Sequence, residues 1–145
     1  MSKSRRVVVI SDVHIEPEAR MMSQPEKLGE FIGALTPLDA DELELVIAGD
    51  FIDFLALPPL SAWTQDPEQA VAKIEFLEGT RFKELLGGLR VLIANQHALT
   101  ILAGNHDVEL SFPKVQAYLE RILSRPESDP VHLRRARVYC RPAAH

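Results

Sequence analysis

The sequence predicts an α/β domain with a mainly parallel sheet and helices on both faces. Short apolar runs that are rich in β-branched residues occupy residues 7–11, 43–48 and 99–103, as in strands buried on both faces. Segments with helical spacing lie between these runs, and such alternation is typical of parallel strands joined by helices. A short polar string follows each run, at the end of the strand where open α/β sheets bind ligands.

Apolar spacing and start signals place the first two helices. The apolar residues of segment 25–35 fall on one stripe at helical spacing. Segment 66–78 has a strong start, because Asp66 can cap the helix and Pro67 suits the first helical position. Gln69 stands three residues after the cap and can complete a capping box.

Two further helices are predicted nearer the C-terminus. The first covers about residues 81–96 and contains Gly87 and Gly88, each of which costs about 1 kcal/mol relative to alanine in a helix. The second covers residues 113–123, whose apolar side chains lie on one face. Segment 54–64 is apolar but is interrupted by two prolines, so we expect a packed loop there.

Composition limits the classes of function. A chain of 145 residues fits one domain, and 46% hydrophobic and 26% charged residues are ordinary for a globular protein. The net charge of −5 does not suit a general nucleic-acid binder. No segment approaches the roughly 20 apolar residues of a membrane span, and the lone Cys140 allows no internal disulfide. We therefore expect a cytoplasmic protein without membrane or nucleic-acid partners.

The polar strings contain side chains that suit metal ions. Alternation along an extended segment would point Asp12 and His14 to one side, where they can bind one ion. The two carboxylate oxygens of Asp50 allow it to bridge two ions, and Asn105 offers a neutral oxygen to the second. Two such ions can clamp a phosphoryl group and activate water, so the strings predict a metal-dependent phosphoesterase.

The third string also supplies a candidate acid. His106 follows Asn105 directly and cannot easily bind the same ion, so we assign it to the leaving group as a general acid or electrostatic stabiliser. Asp53 lies three residues after Asp50 and would reach His106 if the chain turned into a helix there. Such a pair fixes the tautomer of the ring and stabilises its protonated form.

These strings resemble the first three sequence blocks of the calcineurin-like metallophosphoesterase superfamily, Asp-x-His, Gly-Asp-x-x-Asp and Gly-Asn-His-Asp/Glu. The resemblance spans residues 7 to about 110 and implies that His106 is the catalytic histidine, paired with Asp53. It implies a four-layer α/β/β/α sandwich, two divalent ions (manganese, iron, zinc or magnesium) and a phosphomonoester or phosphodiester substrate. The metal ligands that it implies are Asp12, His14, Asp50 and Asn105.

The chain departs from the family pattern after the third block. Two later blocks, a lone His and a Gly-His-x-His, supply the remaining ligands in the family. Here the later histidines are His132 and His145, and neither has that context. Residues 131–145 are rich in arginine and alanine and contain no acid. We therefore expect residues 1–130 to be the N-terminal portion of a truncated phosphoesterase domain, followed by an atypical basic tail.

Truncation leaves a second functional reading open. An aspartate after a buried strand is often only a turn residue or a helix cap, and the chain could be a non-catalytic α/β remnant or a phosphate-binding module. A missing second sheet would also expose an apolar face and favour self-association. A phosphotransfer enzyme of another type is disfavoured, because no glycine-rich phosphate loop follows the first strand.

Overall fold

A parallel four-stranded sheet organises the part of the protein that the computed structural model describes. This part comprises residues 4–17, 24–35, 42–58, 63–80, 82–95, 97–123 and 136–139. The strands lie side by side in chain order, and every neighbouring pair is parallel. They are β1 (Arg5–Ile10), β2 (Glu42–Ala48), β3 (Ala98–Leu102) and β4 (Ala136–Tyr139). The predicted α/β class with a parallel sheet is confirmed.

The register brings the carboxyl ends of the first three strands to one edge. Ile10 of β1 pairs with Ile47 of β2, and Ala48 of β2 pairs with Leu102 of β3. The polar strings that follow these strands therefore begin at the same edge of the sheet. Strand β4 lies beside β3 and was not predicted, because the sequence around it does not have the apolar character of the other three strands.

The four α-helices found among the described residues lie within two residues of their predicted bounds. A 3-10 turn at Phe54–Ala56 lies in the predicted packed loop, and another at Val108–Ser111 follows the third string. Within the described ranges, no helix has both the length and the apolar character needed to cross a membrane. The helices are α1 (Pro25–Leu35), α2 (Pro67–Glu78), α3 (Lys83–Ala94) and α4 (Pro113–Leu123).

The start of α2 follows the prediction in part. The carboxylate of Asp66 accepts a hydrogen bond of 2.9 Å from the backbone N–H of Glu68, as expected of a cap. The predicted capping box is not formed. The backbone N–H of Asp66 donates to the hydroxyl of Thr64 at 3.0 Å, and the same hydroxyl lies 3.0 Å from the amide oxygen of Gln69. Thr64 thus takes the place that Gln69 was expected to fill.

Two glycines allow α1 and α3 to pack closely. A Cβ atom added to Gly88 of α3 would lie 2.6 Å from the carbonyl oxygen of Gly29 in α1. A Cβ atom on Gly29 would lie 2.7 Å from the carbonyl oxygen of Glu84. The neighbouring Gly87 has nothing within 4 Å of such an atom. The helix-weakening glycine at position 88 is therefore explained by contact between the two helix backbones.

The two faces of the sheet differ in burial. On one face the side chains of β2 and β3 are almost completely buried among the helices, and on the other face they are only half-buried or exposed. Val7 and Val9 of β1 are 50% and 61% exposed on the second face. The described residues thus form one sheet with one well-covered face. The fully buried strand residues are Leu43, Leu45, Ile47, Leu99 and Ile101.

Candidate metal centre

The first and second polar strings run side by side beyond the sheet. The backbone N–H of His14 donates to the carbonyl oxygen of Asp50 at 2.8 Å, and that of Ile15 donates to Phe51 at 2.9 Å. Ile15 and Ile52 then form an isolated parallel bridge. This backbone pairing holds the first and second strings side by side.

Three residues of these strings have left-handed backbone conformations. The φ angles are 55° at Asp12, 48° at His14 and 52° at Asp50. Few residues other than glycine adopt this region, and such strain is concentrated at functional sites. Residues 12 and 14 were expected to point to one side because the segment would be extended, and this reason is wrong. A pair of left-handed residues, not strand alternation, brings these two side chains together.

The first cluster consists of Asp12, His14 and Asp50. The Nε2 atom of His14 lies 3.8 Å from Oδ1 of Asp12 and 3.7 Å from Oδ2 of Asp50. One ligand atom from each residue lies within 4.8 Å of the other two. His14 is buried and Asp12 is exposed. The hydroxyl of Ser11 donates a hydrogen bond of 2.9 Å to Oδ2 of Asp12. The cluster is thus open to solvent on the Asp12 side.

The second cluster shares His14 and adds Asp53 and His106. The Oδ2 atom of Asp53 lies 3.7 Å from Nδ1 of His14, and its Oδ1 lies 3.5 Å from Nδ1 of His106. The two imidazole rings meet edge to face, with centroids 4.9 Å apart. Asp53 directly precedes a 3-10 turn and not the α-helix that was expected to bring it to His106. It nevertheless lies beside His106.

Asp50 links the first cluster to the third string. Its Oδ1 accepts a hydrogen bond of 3.0 Å from the backbone N–H of His106, while its Oδ2 faces His14. A Cβ atom on Gly104 would lie only 2.2 Å from Oδ1 of Asp50 and 2.6 Å from its backbone nitrogen. The glycine at position 104 therefore leaves the space that the Asp50 carboxylate occupies.

The Asp107 carboxylate links the second and third strings through backbone hydrogen bonds. It is fully buried, and its Oδ2 accepts backbone hydrogen bonds from Phe51 at 2.7 Å and from Ile52 at 3.4 Å. Its Oδ1 accepts a hydrogen bond of 2.5 Å from Gly104. Burial raises the pKa of Asp107, and these hydrogen bonds oppose that rise. No role is predicted for Asp107 from the sequence, although its position next to His106 is a signal.

A second buried polar group lies behind the strings. Lys73 of α2 is fully buried and donates to the carbonyl oxygen of Phe54 at 2.7 Å, directly after Asp53. Burial lowers the pKa of Lys73, and the nearby Glu109 carboxylate opposes that shift. Burial raises the pKa of Glu109, whose Oε1 accepts from the backbone N–H of Thr64 at 3.4 Å. This pair connects α2 to the loops that carry the strings.

The remaining predicted ligand lies in the turn after β3. Asn105 is exposed between Gly104 and His106, and its role as a ligand stays a prediction. His132 and His145, the later histidines of the sequence, lie outside the described residues. The structure therefore brings Asp12, His14, Asp50, Asp53 and His106 together.

The donor atoms fit divalent metal ions. Carboxylate oxygen and imidazole nitrogen suit manganese, iron, zinc and magnesium to different degrees. Two atoms bound to one ion at about 2.0–2.2 Å each are at most about 4.4 Å apart, and the Nε2 distances of 3.7 Å and 3.8 Å meet that limit. Buried Nδ1 of His14, Oδ1 of Asp53 and Nδ1 of His106 also lack hydrogen-bond partners. Buried polar atoms without a protein partner are typical of sites that bind water, a ligand or an ion.

Carboxylates and imidazoles that converge where parallel strands end define a candidate metal-dependent hydrolase. The family model of calcineurin-like phosphoesterases matches residues 5–141, and the chain belongs to this family. The resemblance found in the three polar strings is thereby confirmed, and the family indicates metal-dependent hydrolysis of phosphate esters. A comparison with curated proteins finds no match, and a comparison with solved structures finds none either.

Proposed function

We propose that the chain hydrolyses a phosphomonoester or a phosphodiester at a centre of two divalent metal ions beyond strands β1, β2 and β3. The observation that carries this proposal is the convergence of ligand atoms from Asp12, His14 and Asp50 within 4.8 Å. Membership of the calcineurin-like phosphoesterase family supports the same chemistry.

The proposed ligands divide between two ions. Asp12 and His14 would hold the first ion and Asn105 the second, and Asp50 would be a ligand shared by both. The position of Asp50 supports this role, because its Oδ2 faces His14 and its Oδ1 faces the third string beside Asn105. Two bound divalent ions neutralise the charge of the phosphoryl group and lower the pKa of water for in-line attack.

His106 is proposed to donate a proton to the leaving-group oxygen. Its Nδ1 faces Asp53 at 3.5 Å, so Nε2 is the nitrogen available to the substrate. The Asp53 carboxylate holds the ring in one orientation and stabilises its protonated form. His106 is half-buried, so its ring combines restricted motion with access to a ligand.

Metal analysis and a phosphatase assay test the proposal together. We expect the purified chain to bind manganese and to release nitrophenol from nitrophenyl phosphate mono- or diesters only when manganese is present. Asp50→Asn should lose metal and turnover together, because it removes charge from the proposed bridge. Glu30→Gln provides the control, since Glu30 is exposed on α1 and should behave as wild type.

The alternative function makes the opposite prediction. A non-catalytic remnant or phosphate-binding module would turn over neither ester, and its phosphate affinity would not depend on manganese. Wild-type protein that binds no metal and hydrolyses nothing would contradict the proposed hydrolase.

Further parts of the proposal concern metal identity, partners and surroundings. We propose manganese as the working metal, a small phosphate ester as the substrate, and the cytoplasm as the location, in keeping with one cysteine. We also propose self-association through the exposed sheet, supported by exposed Val7 and Val9. Sedimentation of wild type against Val9→Lys tests that association. The division into a domain of residues 1–130 and a tail of 131–145 stays a proposal.

A further inference from the structure

The Asp53 carboxylate lies between two histidines that have different proposed tasks. Its Oδ2 faces Nδ1 of His14 at 3.7 Å, and its Oδ1 faces Nδ1 of His106 at 3.5 Å. The side chains of Asp53 and His14 are nearly buried. One carboxylate is therefore placed to orient a metal-ligand imidazole and the leaving-group imidazole at once.

The two nitrogens of His14 face different surroundings. Its Nε2 faces the carboxylates of Asp12 and Asp50. Its Nδ1 is buried, has no hydrogen-bond partner, and faces Asp53. A neutral imidazole carries one proton, so a ring that binds an ion through Nε2 must carry that proton on Nδ1. The Asp53 carboxylate is an acceptor on that side.

We propose that Asp53 is a positioning residue for His14 as well as for His106. It holds His14 in the tautomer with the proton on Nδ1, which leaves Nε2 free for the first metal ion. A carboxylate behind a ligand histidine raises its basicity and fixes its ring, and losing such a partner typically weakens metal affinity 10–100-fold. Asp53 thereby couples metal affinity to the orientation of the leaving-group acid. This inference rests on the proposed function.

Manganese titration calorimetry on the full chain separates this role from two others. Asp53→Asn should raise the manganese dissociation constant 10–100-fold, whereas His106→Asn should leave it close to the wild-type value. Equal affinity in Asp53→Asn and wild type would show that Asp53 serves His106 alone and would overturn the inference. Equal weakening in both variants would indicate an ion bound among His14, Asp53 and His106, and would overturn it too.

The tautomer of His14 gives a readout that does not depend on activity or metal. Long-range proton–nitrogen spectra of metal-free protein at about pH 8, above the ordinary pKa of histidine, should show a larger share of the His14 proton on Nδ1 in wild type than in Asp53→Asn, since Asp12 and Asp50 face Nε2 in both. A wild-type proton wholly on Nε2 would contradict the inference even if Asp53→Asn failed to fold. Wild type that binds no manganese would instead overturn the proposed function, so the two failures are distinguishable.

Discussion

Asp107 and Phe51 are 56 positions apart in the sequence, yet the Phe51 backbone N–H donates to Asp107 Oδ2 at 2.7 Å. The other oxygen of the same carboxylate accepts from Gly104. One buried acid thus holds the backbone of the second string against that of the third. The positions of Asp50 and His106 depend on this connection, because Asp50 directly precedes Phe51 and His106 directly precedes Asp107.

Replacing Asp107 by asparagine should destabilise the protein. An asparagine side chain has one acceptor oxygen, so its NH₂ group must face a backbone N–H that the carboxylate now satisfies. A buried N–H left without an acceptor costs about 1–3 kcal/mol in the free energy of unfolding. Urea unfolding of Asp107→Asn beside wild type measures this loss. Equal unfolding midpoints would contradict the structural role of Asp107.

Gly104→Ala should disturb both the metal centre and the backbone of the second string. The new Cβ atom would lie 2.2 Å from Oδ1 of Asp50, so the carboxylate must move from its place opposite His14. We expect manganese affinity and phosphoesterase activity to fall together, by at least about tenfold if one ligand is lost. Gly33→Ala is the matched control, since nothing lies within 4 Å of its Cβ position. Wild-type affinity in Gly104→Ala would refute the close approach.

Two adjacent glycines of α3 should respond to alanine in opposite directions. Gly88→Ala places a Cβ atom 2.6 Å from the Gly29 carbonyl oxygen and must push α1 away from α3. We expect it to destabilise the protein by about 1–3 kcal/mol, as overpacking does. Gly87→Ala meets nothing within 4 Å and should stabilise the helix by up to about 1 kcal/mol. Thermal unfolding of both variants checks the prediction, and changes of the same sign would count against it.

Glu109→Gln should change how stability depends on pH. Burial raises the pKa of Glu109 above its ordinary 4.5. At pH values between 4.5 and this raised pKa, the folded state therefore binds more protons than the unfolded state. The free energy of unfolding of wild type therefore receives a contribution that falls as pH rises through this window. Glutamine cannot ionise, so the stability of the variant relative to wild type should increase as pH rises from the ordinary pKa of glutamate through the raised pKa of Glu109.

Two groups near Glu109 must be followed in this experiment. Lys73 attracts the Glu109 carboxylate and Asp107 repels it, and both remain in the variant. Glu75→Gln, an exposed substitution on α2, should retain the wild-type pH dependence. Parallel stability curves for Glu109→Gln and wild type would show that Glu109 is not buried as a costly charge.

Local pattern was sufficient to predict the helices and three of the strands. Apolar spacing, the Asp66 cap and the polar strings act within a few residues of each other, so one sequence contains them completely. Strand β4 depends instead on pairing with β3, and its own residues carry no comparable signal. The capping box also differed, because the nearby Thr64 hydroxyl competed for the same backbone N–H.

The residues of the site could be predicted from the sequence, but the backbone conformations and hydrogen bonds that hold them in place could not. Asp12, His14, Asp50, Asp53 and His106 were recognised by type and spacing. The left-handed backbone at three of the predicted ligands and the buried hydrogen bonds of Asp107 arise from contacts between distant segments, which spacing does not reveal. The burial of Lys73 could have been predicted from the helical pattern. It lies on the same helical stripe as Ala70, Ile74 and Leu77, where a cation needs a buried partner.

The strand order of the sheet has a consequence for biosynthesis. Because β1, β2 and β3 are neighbours in the same order as they are translated, each new strand meets the previous one already made. His106 is the last of the clustered side chains to be translated, and β4 is added later, on the far side of β3. A nascent chain that has emerged through α4 therefore already carries every clustered carboxylate and imidazole.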